Sequence, residues 1–501
     1  MLKRAVVIFF VLSALTAGIV LAEPRLTYIV DVASHGNATV VMLFTDEEPG
    51  ELYIVVPRFE KYNITYSGGF KVVNVSKYTY FYNMLNFSYV PSESGVFELR
   101  IEYKFPYASL IVGDRAWFMT PMIGAPNNVK VYVNVTLANL KSIEATSGLE
   151  EELQPLSIEG NKLSFRVFNT ARGARVIVEY TLEHPVPIED VTRVIDNTTV
   201  IVHVPATHRE LERRVLETYS RTKPVLEEVF GGGFKELEFQ FFLPRLRDIA
   251  TLGFVRGEEV IAGGEGPIFL NMLLLRYVPG YFEVTVVHEY VHKALGRAGI
   301  EANNELRWFH EGVAEYVALR VCKLAGINVT EIERGKEEFF ENFEKTIKEL
   351  TGSDFGSILQ DWENPAPMDL KYAASEYIVT KLAEKYGGLD FIKRVVAEAE
   401  KYGRVATTED LIIVLNRAVG EDLRPQFREW GFIVSEKGDD FITRVRGVKP
   451  HKMLVLLAVL LAIVVLLSLL LTLRYLKTRK ETIPQVTQHS QELGEPEPQR
   501  N

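Results

Sequence analysis

Over residues 23–185 the chain alternates apolar and polar positions in short runs. They are Leu26–Val32, Thr39–Thr45, Leu52–Val56, Phe97–Tyr103, Val129–Thr136, Leu163–Phe168 and Arg175–Thr181, separated by clusters of turn residues. A period of two sends successive side chains to opposite faces, so each run predicts a strand with one buried face. Together they predict an all-β, sandwich-like region of one or two units. From about residue 190 the pattern changes. Thr199–Val204, Leu237–Leu243 and Gly264–Leu275 read as strands, and Thr207–Val229 reads as a helix. Phe282–Leu295 carries apolar residues at 284, 287, 291 and 295, which is a helical spacing. Pro279-Gly280 before it and Gly296 after it act as start and stop signals. Mainly helical segments follow from 331 to 432. Strands first and helices later predict an α+β layout for residues 190–440.

Two apolar runs stand apart from these periodic segments. Lys3 and Arg4 precede an apolar stretch from Ala5 to Leu21, and Val20-Leu21-Ala22 has the form of a cleavage site, so residues 1–22 predict a secretory signal peptide. Met453 to Leu473 is uncharged and long enough to cross a bilayer as a helix, so 453–473 predicts a transmembrane segment. Basic residues flank it on both sides, and the signal peptide sets the expected orientation. In this reading the chain is single-pass in the cell membrane, the large N-terminal part is extracellular, and the polar tail 474–501 is cytoplasmic and disordered. Seven glycosylation sequons, at Asn37, Asn63, Asn74, Asn86, Asn134, Asn197 and Asn328, all precede the apolar run and agree with it. Cys322 is the single cysteine, so no disulfide can form within the chain. The net charge of −10 leaves no basic footprint for a nucleic acid.

The candidate chemistry sits in the helical segment. Residues 288–292 read His-Glu-Tyr-Val-His, and Glu311 opens Glu-Gly-Val-Ala-Glu-Tyr. His288 and His292 are four apart, so on a helix both imidazoles leave one face and can meet one metal ion. Glu289 lies beside them, placed to work on a water rather than on the metal. A catalytic zinc takes three protein ligands and keeps one position open, and Glu311 completes the set if a second helix starting near Arg307 packs across the first.

Trp308-Phe309-His310-Glu311-Gly312-Val313-Ala314-Glu315-Tyr316 resembles the W-x-x-E-G-x-A-E-Y signature of the gluzincin metallopeptidases, and the gap between His292 and Glu311 matches the branch containing the membrane alanyl aminopeptidases. The resemblance implies a thermolysin-like catalytic domain with one zinc ion held by His288, His292 and Glu311, and with Glu289 as general base. It implies that Glu315 steers a ligand histidine. It points to Tyr372 as the hydroxyl that stabilises the oxyanion, with Tyr377 as rival, although the usual Tyr-x-Lys-Gly run is replaced by Tyr372-Ala373-Ala374-Ser375. Glu265, in Gly263-Gly264-Glu265-Gly266, stands near the place where the aminopeptidases anchor a substrate amine, but the flanking Met and Asn are missing. His310 occupies a position that is often Asn, about 100° around the helix from Glu311, and is not expected to bind the same metal.

These readings converge on a membrane-anchored zinc peptidase acting on peptide or protein substrates at the cell surface, as an exopeptidase or an endopeptidase. A surface binding or adhesion protein on an inactive peptidase scaffold is the alternative, and a zinc hydrolase of a non-peptide substrate is another.

Overall fold

The computed structural model describes residues 23–435, leaving aside 148–152, 246–248, 250, 341, 342, 344, 346, 348 and 350–353. Four of the alternating segments become β1 (Arg25–Val32), β2 (Ala38–Asp46), β3 (Gly50–Pro57) and β7 (Phe97–Phe105), and three strands that the alternation did not mark lie between them, β4 (Tyr62–Ser67), β5 (Gly69–Lys77) and β6 (Tyr82–Val90). After these come β8 (Ser109–Val112), β9 (Arg115–Met119), β10 (Lys130–Leu137), β11 (Leu140–Ser147), β12 (Leu153–Glu159), β13 (Lys162–Val167) and β14 (Ile177–Leu182). They form three sheets, ordered β12-β13-β10-β1-β2-β7-β4, β11-β14-β9-β8 and β3-β6-β5. β1 shows why the period works. Leu26, Tyr28, Val30 and Val32 are buried, while the residues between them are not.

The β region is one unit built from three sheets. All three sheets bury their inner faces in one apolar core, to which Phe44, Phe87, Phe118 and Phe165 contribute from four different strands. β1 also pairs in parallel with β10, which a simple meander would not produce.

The second part contains β15 (Ile188–Ile195), β16 (Thr198–Pro205), β17 (Glu236–Phe242), β18 (Gly253–Phe254) and β19 (Ile268–Asn271). Its longer helices are α1 (Glu210–Phe230), α2 (Tyr281–Arg297), α3 (Arg307–Leu324), α4 (Thr330–Phe340), α5 (Met368–Tyr386), α6 (Leu389–Tyr402) and α7 (Thr408–Val419). The sheet runs β15-β16-β17-β19-β18, with a parallel centre and antiparallel edges. α1 is the crossover between parallel neighbours β16 and β17, as such a pair requires. The strand expected over Gly264–Leu275 is shorter. Asn271 accepts a hydrogen bond from the Leu273 amide and starts a 3-10 turn over Met272–Arg276.

Leu110 and Trp117, from the N-terminal region, enter the apolar core of this second part. The described residues up to Val434 accordingly fall within one compact unit.

The fold is α+β with a large N-terminal β region, and the expected closing membrane helix is withdrawn from it. No helix among the described residues is long and apolar enough to cross a membrane. The signal peptide read at 1–22, the apolar run at 453–473 and the tail at 474–501 lie outside the described residues. Hydropathy is a property of the strip of sequence alone and fixes no tertiary placement.

Candidate metal centre

α2 is buried around nearly its whole circumference, from Phe282 to Gly296. A helix wrapped this way must be apolar throughout or must satisfy its polar groups internally. His288, Glu289 and His292 are the polar exceptions together with Thr285 and Lys293, and all are buried. α3 crosses α2 and is itself buried over Trp308–Ala314. Gly312 makes the next crossing possible. A Cβ there would stand 2.3 Å from the Ser375 carbonyl oxygen of α5, so glycine allows α3 and α5 to meet and carries the first turn of α5 toward Glu311.

His288, His292 and Glu311 converge as the spacing predicts. The two Nε2 atoms are 3.0 Å apart, and Glu311 Oε2 lies 3.3 Å from His288 Nε2 and 3.2 Å from His292 Nε2. Glu311 Oε2 is buried without an aligned hydrogen-bond partner, and so is Glu289 Oε2. The electrostatics call for positive charge. Burial pushes His288 down, yet the approach of Glu311 and the charges of Glu315 and Glu289 outweigh it and hold His288 up, at about 9. Burial raises Glu311, but His292 and His288 overcome it and keep its carboxyl well below the ordinary range. A buried His-His-Glu group in which Glu311 Oε2 has no aligned hydrogen-bond partner, and which attracts cationic charge, can hold a metal ion.

The outer nitrogens settle the tautomers. For His288 to ligate through Nε2 its remaining proton must sit on Nδ1, and Nδ1 faces Glu315 Oε1 at 3.3 Å, a carboxylate that only accepts. His292 reaches the same state by another route. His310 Nε2 donates to the Ile300 carbonyl at 3.0 Å, which leaves His310 Nδ1 as an acceptor for His292 Nδ1 at 3.4 Å. His310 is fully buried and is pushed down to about 3, first by burial and then by His292, so it stays neutral. It holds the His292 ring from outside the three-residue group.

Glu315 is held in turn. Lys336 of α4 donates to Glu315 Oε2 at 2.7 Å and to both Glu376 oxygens at 2.7 Å. Burial raises the Glu315 carboxyl, but the charges of Lys336 and His288 overcome this and keep it ionised. Burial, with the charge of Glu315, raises the Glu376 carboxyl.

Tyr372 of α5 and Arg307 at the start of α3 stand beside the centre. The Tyr372 hydroxyl is raised by burial and by the charges of Glu311 and Glu289, against which the nearby Arg307 charge acts. Tyr377 turns elsewhere, among Phe340, Phe343 and Phe355. Glu289 is raised by burial, which outweighs the two histidines. β18 runs against it, because a Cβ on Gly253 would stand 2.7 Å from Glu289 Oε1. Glu265 is exposed in the turn before β19, beside Gly264, which packs on the Lys293 backbone. Among the described residues no hydrogen bond or ion pair joins Glu265 to the centre, and its recorded partner is the charge of Lys293.

Sequence reasoning passed over Arg307, Lys336 and Glu376, and saw His310 only as a non-ligand. Glu376 follows Tyr372 by four residues and Arg307 precedes Glu311 by four, a helical spacing that carries both signals. No spacing rule points to Lys336, because it reaches the site from a separate helix. No protein-family model matches the chain, and no curated protein matches it.

Proposed function

We propose that the protein is a zinc-dependent peptidase of gluzincin type. One observation carries the reading: three metal-ligating atoms converge within 3.0–3.3 Å, and the buried Glu289 carboxyl next to them on α2 has an oxygen without a partner. A binding scaffold needs the ligands and has no use for that carboxyl.

Two histidines and one carboxylate suit zinc, and when bound it supplies Lewis acidity toward water and the scissile carbonyl. Glu289 takes a proton from the attacking water and passes it to the leaving amine. Its raised pKa brings it nearer neutrality, where a base that must also return the proton works best. The Tyr372 hydroxyl donates to the oxyanion. Glu315 and His310 hold the histidine tautomers. β18 is an edge strand lying against Glu289, and its outer edge suits an extended peptide. Six of the seven sequon asparagines are exposed, which supports a site facing the outside of the cell.

Elemental analysis together with a peptide-library digest tests the proposal. About one zinc per chain and chelator-sensitive cleavage are expected. Full zinc occupancy without cleavage of any peptide would reject the peptidase reading.

A further inference from the structure

The cation nearest the centre has hydrogen-bonding capacity that the protein does not use. Arg307 begins α3, one turn before Glu311. Its Nε meets Glu311 Oε1 at 3.3 Å, a single long contact on the oxygen turned away from the histidines. Its guanidinium carbon stands 5.8 Å from the centre of the Trp362 ring, and its charge acts on the nearby Tyr372 hydroxyl. A guanidinium carries five N–H donors in a planar fork. Glu311 occupies a minority of them, and among the described residues no second carboxylate meets Arg307. The side chain is 50 % exposed.

The other cations beside the centre are committed. Lys336 is enclosed by Glu315 and Glu376, and Lys371 donates to the Trp362 and Asn364 carbonyls. A positive charge one carboxylate's width from a metal site also works against binding the metal. Holding Glu311 in place would need only a neutral donor. A half-exposed, pre-oriented fork at this position matches an incoming carboxylate.

We propose that Arg307, beside Tyr372 and Trp362, forms a carboxylate subsite, so that the preferred peptides carry a carboxylate next to the cleaved bond. The inference rests on the peptidase reading for its substrate, but the subsite itself can be read by binding alone. The carboxylate comes either from a free C-terminus or from an acidic side chain.

The test uses zinc-loaded Glu289→Gln protein, so that peptides bind without turnover. N-blocked peptides are compared in two pairs: C-terminal acid against C-terminal amide, and Asp against Asn next to the bond. At least one acidic member should bind about 10- to 100-fold more tightly than its neutral twin, the range for hydrogen bonds to a charged group. An effect confined to the first pair identifies a chain terminus, and one confined to the second identifies a side chain. Arg307→Gln on the same background should remove the difference with zinc content unchanged. Arg307→Lys should keep part of it, because charge remains and the fork is lost. Equal binding within both pairs overturns the proposal, and so does a preference that survives Arg307→Gln. If native protein cuts no peptide while the acid preference is present, the peptidase reading fails and the subsite stands. Cleavage without any acid preference gives the reverse.

Discussion

At the residue scale, buried side chains in this centre have separable tasks. Glu289 is adjacent to a ligand but leaves the helix in another direction, so Glu289→Gln should keep the metal and lose turnover by about 10²–10⁴-fold. Elemental analysis beside a rate assay checks this, and wild-type turnover would mean that another group activates the water. Tyr372 and Tyr377 share a helix but not an environment, since one faces Arg307 and the other an aromatic cluster. Tyr372→Phe should lower kcat by about 10²–10³-fold with little change in KM, because an oxyanion exists only beyond the ground state. Tyr377→Phe should leave kcat nearly unchanged. Similar small losses in both would make Tyr372 a packing residue. His310→Ala removes the acceptor that fixes the His292 tautomer, so metal affinity should fall about 10- to 100-fold, read by chelator competition. Unchanged affinity would show that His292 is oriented without it.

At the element scale, the site depends on how closely three helices cross. α2 carries His288, Glu289 and His292, α3 carries Glu311, and α5 carries Tyr372. Gly312 sits at the α3–α5 crossing, where an added methyl meets a backbone carbonyl that cannot rotate away. Gly312→Ala should therefore cost about 1–3 kcal/mol in a denaturant melt, and it should lower turnover by displacing Tyr372 while metal is retained. A stable, fully active variant would show that the crossing is looser than the structure places it. The elements also show what periodicity captures. β1 and α2 were legible because each has one long amphipathic or apolar pattern bounded by turn signals. β18 was not, because two residues have no period. β5 was missed for another reason. It lies at a sheet edge with nearly every side chain exposed, so burial leaves no alternating mark on it.

At the scale of the whole molecule, two apolar cores meet where Leu110 and Trp117 leave the β region and pack into the α+β part. Trp117 is fully buried. Trp117→Ala should cost about 3–5 kcal/mol. By loosening this junction it should split a single calorimetric unfolding transition into two, whereas one transition in the variant would mean that the parts are coupled elsewhere. The sequence by itself determined what is local. A helix repeats every few residues, so His288 and His292 had to share a face, and a strand repeats every two, so the strands with one buried face, about half of those described in the β region, could be read directly. It also pointed to Glu311, through a resemblance that spans one helix crossing. Only the tertiary structure decided that His310 bonds His292, that Lys336 joins Glu315 to Glu376, and that Arg307 stands beside Tyr372 with donors left over. Those partners lie on separate helices or on either side of a turn. Their meeting depends on how far apart the helices pack and at what angle, which side-chain volume and a glycine at the crossing set, and no periodicity encodes.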